Sequence, residues 1–82
     1  SSTIDEGALP ETLTQLLADC GMAGSGKQVK DALQRNAVIV NGEAIGLESN
    51  GQPAAVFSGE KALFGRFYLV RLGKKKYHLF AR

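Results

Sequence analysis

Leu9, Leu13, Leu16, Leu17 and Cys20 recur at steps of three and four, the single apolar stripe of a helix. Pro10 suits the first helical position and Glu11 the positive end of the dipole, while Gly21 is a left-handed stop, so the pattern predicts a helix over 10–20. In G-S-G-K-Q-V-K-D-A-L-Q-R-N, Ser25 and Gln28 have capping-box spacing. Val29, Ala32 and Leu33 then share one face, against Lys27, Lys30, Asp31, Gln34 and Arg35 on the other, which predicts a second helix over 26–35. The short connection makes the two helices a corner or hairpin.

From residue 38 the period changes from helical to strand. Val38, Ile39 and Val40 are strong strand formers and run into Asn41-Gly42, a favoured hairpin turn. Residues 46–54 read as a loop, Val56 and Phe57 as a short strand, and 58–64 as a helical turn. R-F-Y-L-V-R-L is a strand, Gly73-Lys74 reads as a two-residue turn with glycine first, and K-K-Y-H-L-F-A returns antiparallel. In this register Arg71 faces Lys76, with His78 on the same face. Helix, helix and then strands make an α+β domain, two N-terminal helices packed on a small antiparallel sheet. S-S-T-I-D-E-G-A, residues 1–8, has no periodicity and reads as a flexible linker or tag remnant before a domain at 9–82.

Charge changes this picture more than composition does. With 82 residues, 44% of them hydrophobic and 22% charged, the chain is an ordinary small globular domain with a modest core. It has no apolar run near the ~20 residues of a membrane span, and its opening lacks the basic-then-apolar form of a secretory leader. A single cysteine excludes an internal disulfide and a cysteine-rich zinc site, and fits a cytoplasmic setting. The net charge of +2 is unevenly distributed: residues 1–24 carry four acids and no base, whereas 25–82 carry all ten bases against four acids. The later part of the chain thus calls for an anionic partner.

Two places could hold one. Lys27 and Lys30 lie near the start of the second helix, where the dipole disfavours cations by about 0.3–1 kcal/mol each, and Gly26 costs roughly 1 kcal/mol against alanine. A phosphate there would reverse the balance, with Gly26 letting it approach; alternatively, Lys27 simply pairs with Asp31 one turn on. Lys74, Lys75 and Lys76, with Arg71 beside them, crowd like charges at a hairpin tip, which either awaits a polyanion or serves to keep the hairpin end soluble. Catalytic chemistry is poorly represented. His78 has no nucleophile or carboxylate pair near it in sequence, Cys20 lies on the core stripe, and no phosphate-loop or dinucleotide motif occurs. The aromatic residues could stack on bases, although most are needed for the core.

Residues 9–43, ending V-N-G-E, resemble the alpha-L RNA-binding motif shared with ribosomal protein S-four. The tail G-R-F-Y-L-V-R-L-G-K-K-K-Y-H-L is similar to the C-terminal end of bacterial tyrosyl-tRNA synthetases. The resemblance implies an S-four-like fold that helps to hold tRNA-Tyr near its anticodon stem and long variable arm. It implies no catalytic residue, cofactor, metal, membrane or small-molecule ligand for this chain, the parent synthetase using ATP and tyrosine and dimerising through its catalytic domain. The family's basic positions on the second helix correspond here to Lys27 and Lys30, its capping serine to Ser25 and its tail to Lys74, Lys75 and Lys76; together with Gln34, Arg35 and Arg71 from the local charge pattern, these are the expected RNA-binding residues. Gly26, Val29 and Asn36 depart from the pattern, which more often has a basic residue, alanine and glycine there. Alternatives are an S-four-type module of an RNA-modifying or ribosome-associated protein, and a protein-interaction module that binds no RNA.

Overall fold

The computed structural model describes residues 1–82. The elements in order are β1 (Ser2–Thr3), α1 (Leu13–Asp19), α2 (Gly26–Gln34), β2 (Val38–Val40), β3 (Glu43–Ile45), α3 (Pro53–Val56), β4 (Phe67–Leu72) and β5 (Lys76–Ala81), with short 3-10 turns at Glu6–Ala8, Leu47–Ser49 and Gly59–Lys61. The strands form one sheet in the order β1-β5-β4-β2-β3. The fold is α+β, as expected, but its sheet is mixed, because β1 runs parallel to β5.

Both long helices follow their apolar stripes, with ends set by side-chain caps. The first begins three residues later than predicted because Thr12, not Pro10, sets its start, accepting from Gln15 N–H. The T-x-x-Q spacing of Thr12 and Gln15 is itself a capping pattern, and it prevails over the proline. The second helix follows Ser25, whose Oγ accepts from Gln28 N–H, while Gln28 Oε1 reaches back to Gly24 N–H at 2.8 Å. It closes with Asn36 in the left-handed region (φ 53). Ala37 N–H donates to Ala32 O and Asn36 N–H to Leu33 O, the paired bonds of a Schellman stop. Asparagine tolerates that conformation, so it serves in place of the expected glycine.

The helices cover one face of the sheet. Val38, Val40, Tyr68, Val70, Leu72 and Phe80 meet Leu13, Leu16, Leu17, Val29, Ala32 and Leu33 in a single core. Phe57 lies edge-on to Tyr68 (centroids 5.0 Å) and Phe80 (5.3 Å), and the Tyr68 hydroxyl reaches the carbonyls of Phe57 and Ser58 at 2.9 and 2.8 Å. Val56 and Phe57, expected in a strand, instead belong to and follow the one-turn helix α3; Pro53 opens it, and both side chains are buried in the core. Asn41 and Gly42 have φ of 50° and 85°, the two positive values the predicted hairpin turn requires.

Two expectations fail. The opening residues are an edge strand: Ile4 is buried and its N–H donates to Ala81 O, while Glu6 pairs with Arg82 at 2.8 Å. The terminal hairpin has a three-residue loop, Gly73 to Lys75, so Leu72 pairs with Lys76, Arg71 with Tyr77 and Val70 with His78. This one-residue shift moves Arg71 to the opposite face from Lys76 and His78. It is enforced by Phe80, which must face inward beside Tyr68 to fill the core against Phe57.

Gly26 also differs from its expected role. A Cβ there would lie 2.8 Å from Thr14 Cγ2, and Thr14 is itself held by Asn50 Oδ1 through both Oγ1 (2.8 Å) and backbone N–H (3.0 Å). The glycine therefore lets α2 close onto α1. Gly26→Ala should lower stability, since overpacking at about 1–3 kcal/mol outweighs a helix-propensity gain of about 1. The same change in a Thr14→Ser background, which removes the obstructing methyl and keeps the hydroxyl, should be neutral or stabilising in thermal melts.

His78 packs at a tilt against Phe80 (centroids 4.7 Å, rings at 55°) and its Nε2 lies 2.8 Å from Ser2 Oγ, tying β1 to the sheet. Burial holds its pKa below the ordinary 6.5. The folded state thus prefers neutral imidazole, and the stability this confers is full above about 6.5 and is lost as pH falls through the lowered folded value. The protection factor of the Ile4 amide, which is bonded to Ala81 O, should fall on acidification over that range, and His78→Asn should remove the step.

Candidate nucleic-acid interface

The structure brings the lysine loop of the hairpin to the C-terminal end of α2, beside Arg35. Gly73 N–H donates to Ala37 O at 2.9 Å, and Ala37 N–H in turn binds Ala32 O in the last turn of α2. Two successive backbone bonds therefore pin the hairpin loop against the end of the helix. Gly73, at φ 69, makes the reversal without the cost a side chain would carry there.

Between helix and loop lies a groove of about 370 Å³, lined by Gln28, Ala32, Arg35, Leu72, Gly73, Lys74, Lys75 and Lys76. It contains four cations and no carboxylate. Arg35 and all three lysines are exposed. Arg35 is held at the helix end by donation from Nε to Asp31 O at 3.4 Å. Lys76 pairs with Leu72 on the helix-facing side of the sheet, which turns it toward α2. The only ion pair in the molecule is Glu6–Arg82, on the surface and outside the groove, so no internal acid neutralises these groups. Like charges grouped around one groove repel one another, and an anion shared among them would relieve that repulsion.

The other candidate residues are spread around this groove. Lys27, Lys30 and Gln34 are exposed on α2. Ser25 and Lys27 border a separate shallow depression with Gly24, Gln28 and Asp31. There the capping bonds already engage Ser25 Oγ and the Gln28 N–H, Asp31 contributes a negative charge, and Gly26 is occupied by packing on α1. The start of α2 is therefore a poorer anion site than the sequence suggested. The alternative expected for Lys27 is not formed either, since it makes no ion pair with Asp31. Arg71 stands on the far side of the sheet. Gln28 lines the groove although its sequence context pointed only to a cap; its position one turn before Ala32 and near Arg35 on the α2 surface was the available signal.

No group of three or more His, Cys, Asp or Glu side chains comes together, and Cys20 donates its S–H to Leu17 O in the ordinary way of a half-buried thiol. No helix is long and apolar enough to cross a membrane.

Comparison with known proteins fits this picture. Residues 2–80 match the family model described as the tyrosine–tRNA ligase SYY-like C-terminal domain. Over 67 residues, 82% of the chain, the sequence is 40% identical to tyrosine–tRNA ligases of Geobacillus stearothermophilus and Bacillus caldotenax, and 39% identical to that of Salmonella paratyphi B. The matched stretch is 15% of the length of each of these relatives.

Proposed function

The chain belongs to the tyrosine–tRNA ligase SYY-like C-terminal domain family, and from that premise we propose that it is an RNA-binding module that clamps the backbone of tRNA-Tyr. The observation that carries this reading is the acid-free groove in which Arg35, Lys74, Lys75 and Lys76 converge from two elements. Four cations at one groove suit the closely spaced phosphates of a folded RNA better than an isolated small anion. Such contacts fix position on the RNA, while shape sets register. Lys27, Lys30, Gln34 and Ser25 extend the cationic and polar surface along α2, and Arg71 adds a cation on the other face of the hairpin.

The succession α1–α2–β2 ending in the Asn41-Gly42 turn supports an S-four-like, alpha-L reading of the fold. Catalysis belongs to the rest of a ligase that uses ATP and tyrosine and forms a dimer through its catalytic part, in the cytoplasm. The module itself is a non-catalytic handle on the variable arm and anticodon stem. Its own affinity is modest, in the ~10⁻⁴–10⁻⁶ M range of electrostatic nucleic-acid binding at physiological salt, and is amplified by tethering.

Replacing Lys74, Lys75 and Lys76 with alanine should weaken tRNA-Tyr binding. It should also reduce the slope of log K against log salt by about 0.7–0.9 for every phosphate that is no longer neutralised. An unchanged slope would remove the groove from the interface. Equal or tighter binding of a ribosomal RNA fragment would assign the module to a different RNA.

A further inference from the structure

The helices cover only one face of the sheet. On the other, Tyr77 stands directly opposite Arg71, Arg71 is followed by Ile39 on β2, and Leu79 faces Leu69. Tyr77 is 57% exposed and the two leucines about 40%. No acidic residue lies on this face. Phe67, at its far end, already carries the Arg66 guanidinium 5.4 Å from its centroid, which leaves Tyr77 as the free aromatic of β4 and β5, Phe64 being exposed on the loop before β4. Arg71 Nε is sequestered from solvent between its neighbours and has no hydrogen-bond partner.

Building on the RNA-binding reading, we infer that this face is a nucleobase platform: an unpaired base of the bound RNA stacks on Tyr77 and meets the Arg71 guanidinium. A base offers what the site lacks. Its π-face matches an exposed ring beside aliphatic side chains, and its edge carries the acceptors that a guanidinium needs. Residues opposed across an antiparallel pair lie about 4.5–5.5 Å apart at Cβ, close enough for one base to touch both. Sequence continuity supports the same occupant. Tyr77 follows Lys76 and Arg71 precedes Leu72, both of which line the basic groove. A strand with its phosphates on Lys74 and Lys75 at the loop is therefore delivered to the platform by crossing the hairpin tip. A second copy of the chain fits less well, because a two-fold contact would press this patch against itself and bring two cation-bearing faces together with no carboxylate in their strands to offset them. The same absence of acids makes the face a cation-bearing one that calls for an electron-rich ligand.

The platform is tested by NMR on the 82-residue chain with two probes of equal length and charge, a single-stranded oligoribonucleotide and an abasic ribose-phosphate chain. The base-bearing probe should move the Tyr77 ring protons upfield and shift the Leu69, Arg71 and Leu79 amides, whereas the abasic chain should shift only Arg35 and Lys74 to Lys76. Tyr77→Ala should weaken tRNA-Tyr binding about 5- to 150-fold, the equivalent of the ~1–3 kcal/mol of a base stack, at unchanged salt slope, and Tyr77→Phe should retain the affinity. A silent Tyr77 ring, or full affinity in Tyr77→Ala, overturns the proposal and leaves the face to a protein partner. Self-association that moves the same amides without RNA overturns it in favour of a second copy. Disappearance of the lysine salt effect with the ring shifts intact would instead fault the groove and uphold the platform.

Discussion

Burial of the Val29–Ala32–Leu33 face of α2 between α1 and the sheet is the interaction on which the rest depends. These three side chains are almost completely shielded, and they leave the helix only one orientation in which its polar side faces out. The close approach at Gly26 sets how near α2 comes to α1, and the Schellman stop at Asn36 sends the chain directly into the central strand β2. Ala37, held by that stop, receives the Gly73 N–H and so positions the lysine loop. The groove thus follows from packing of apolar residues and backbone bonding, none of which involves a cation. A backbone frame built this way needs no ligand to form, so a partner of the groove would have side chains but not backbone to order.

Much of this was legible in the sequence because local chemistry and tertiary packing agree. Ser25, Gly21, Asn41-Gly42 and the apolar steps of the two helices each demand the same local structure that the core demands. The terminal hairpin was misread because they disagree there. Along K-Y-H-L-F-A, the set Tyr77, Leu79 and Ala81 is more apolar than Lys76, His78 and Phe80, and a glycine with positive φ suits a two-residue as well as a three-residue loop. Only the space beside Phe57 and Tyr68 selects Phe80 as the inward ring, and that space is created by α3, a helix too short for any period to reveal. Strand β1 escaped for a related reason. Two residues have no alternation, and its one sequence signal is an isolated Ile4 before the capping Asp5.

The candidate site was legible as composition and less so as geometry. Ten bases after residue 24 announce an anionic partner, but whether they act together depends on which backbone segments meet. Arg35 and Lys76 are 41 positions apart and share a groove, whereas Arg71 and Lys76 are near neighbours in sequence and lie on opposite sides of the sheet. Gly26 shows the reverse error. Its cost in helix propensity suggested a ligand, while the actual compensation is Thr14, a residue whose own placement depends on Asn50 from a distant loop.

A domain of this size has little surface to give both to a core and to a partner, and here the division follows the sheet. One face is taken up by the helices. The other retains Leu69, Leu79 and Tyr77 against solvent, a cost that stability alone gives no reason to bear. The cations are distributed likewise, with the groove on the helical side and Arg71 on the open side of the same hairpin. Because β4 and β5 project both sets from one rigid ladder, anything that engages the loop lysines is held within reach of both faces, and binding on one side raises the local concentration on the other without any movement of the protein. On the proposed RNA-binding reading, phosphate contacts at the loop would supply sequence-independent attraction, so discrimination among RNAs would have to arise where bases are touched or where overall shape limits access, and the open face is the part of this hairpin whose chemistry suits a base.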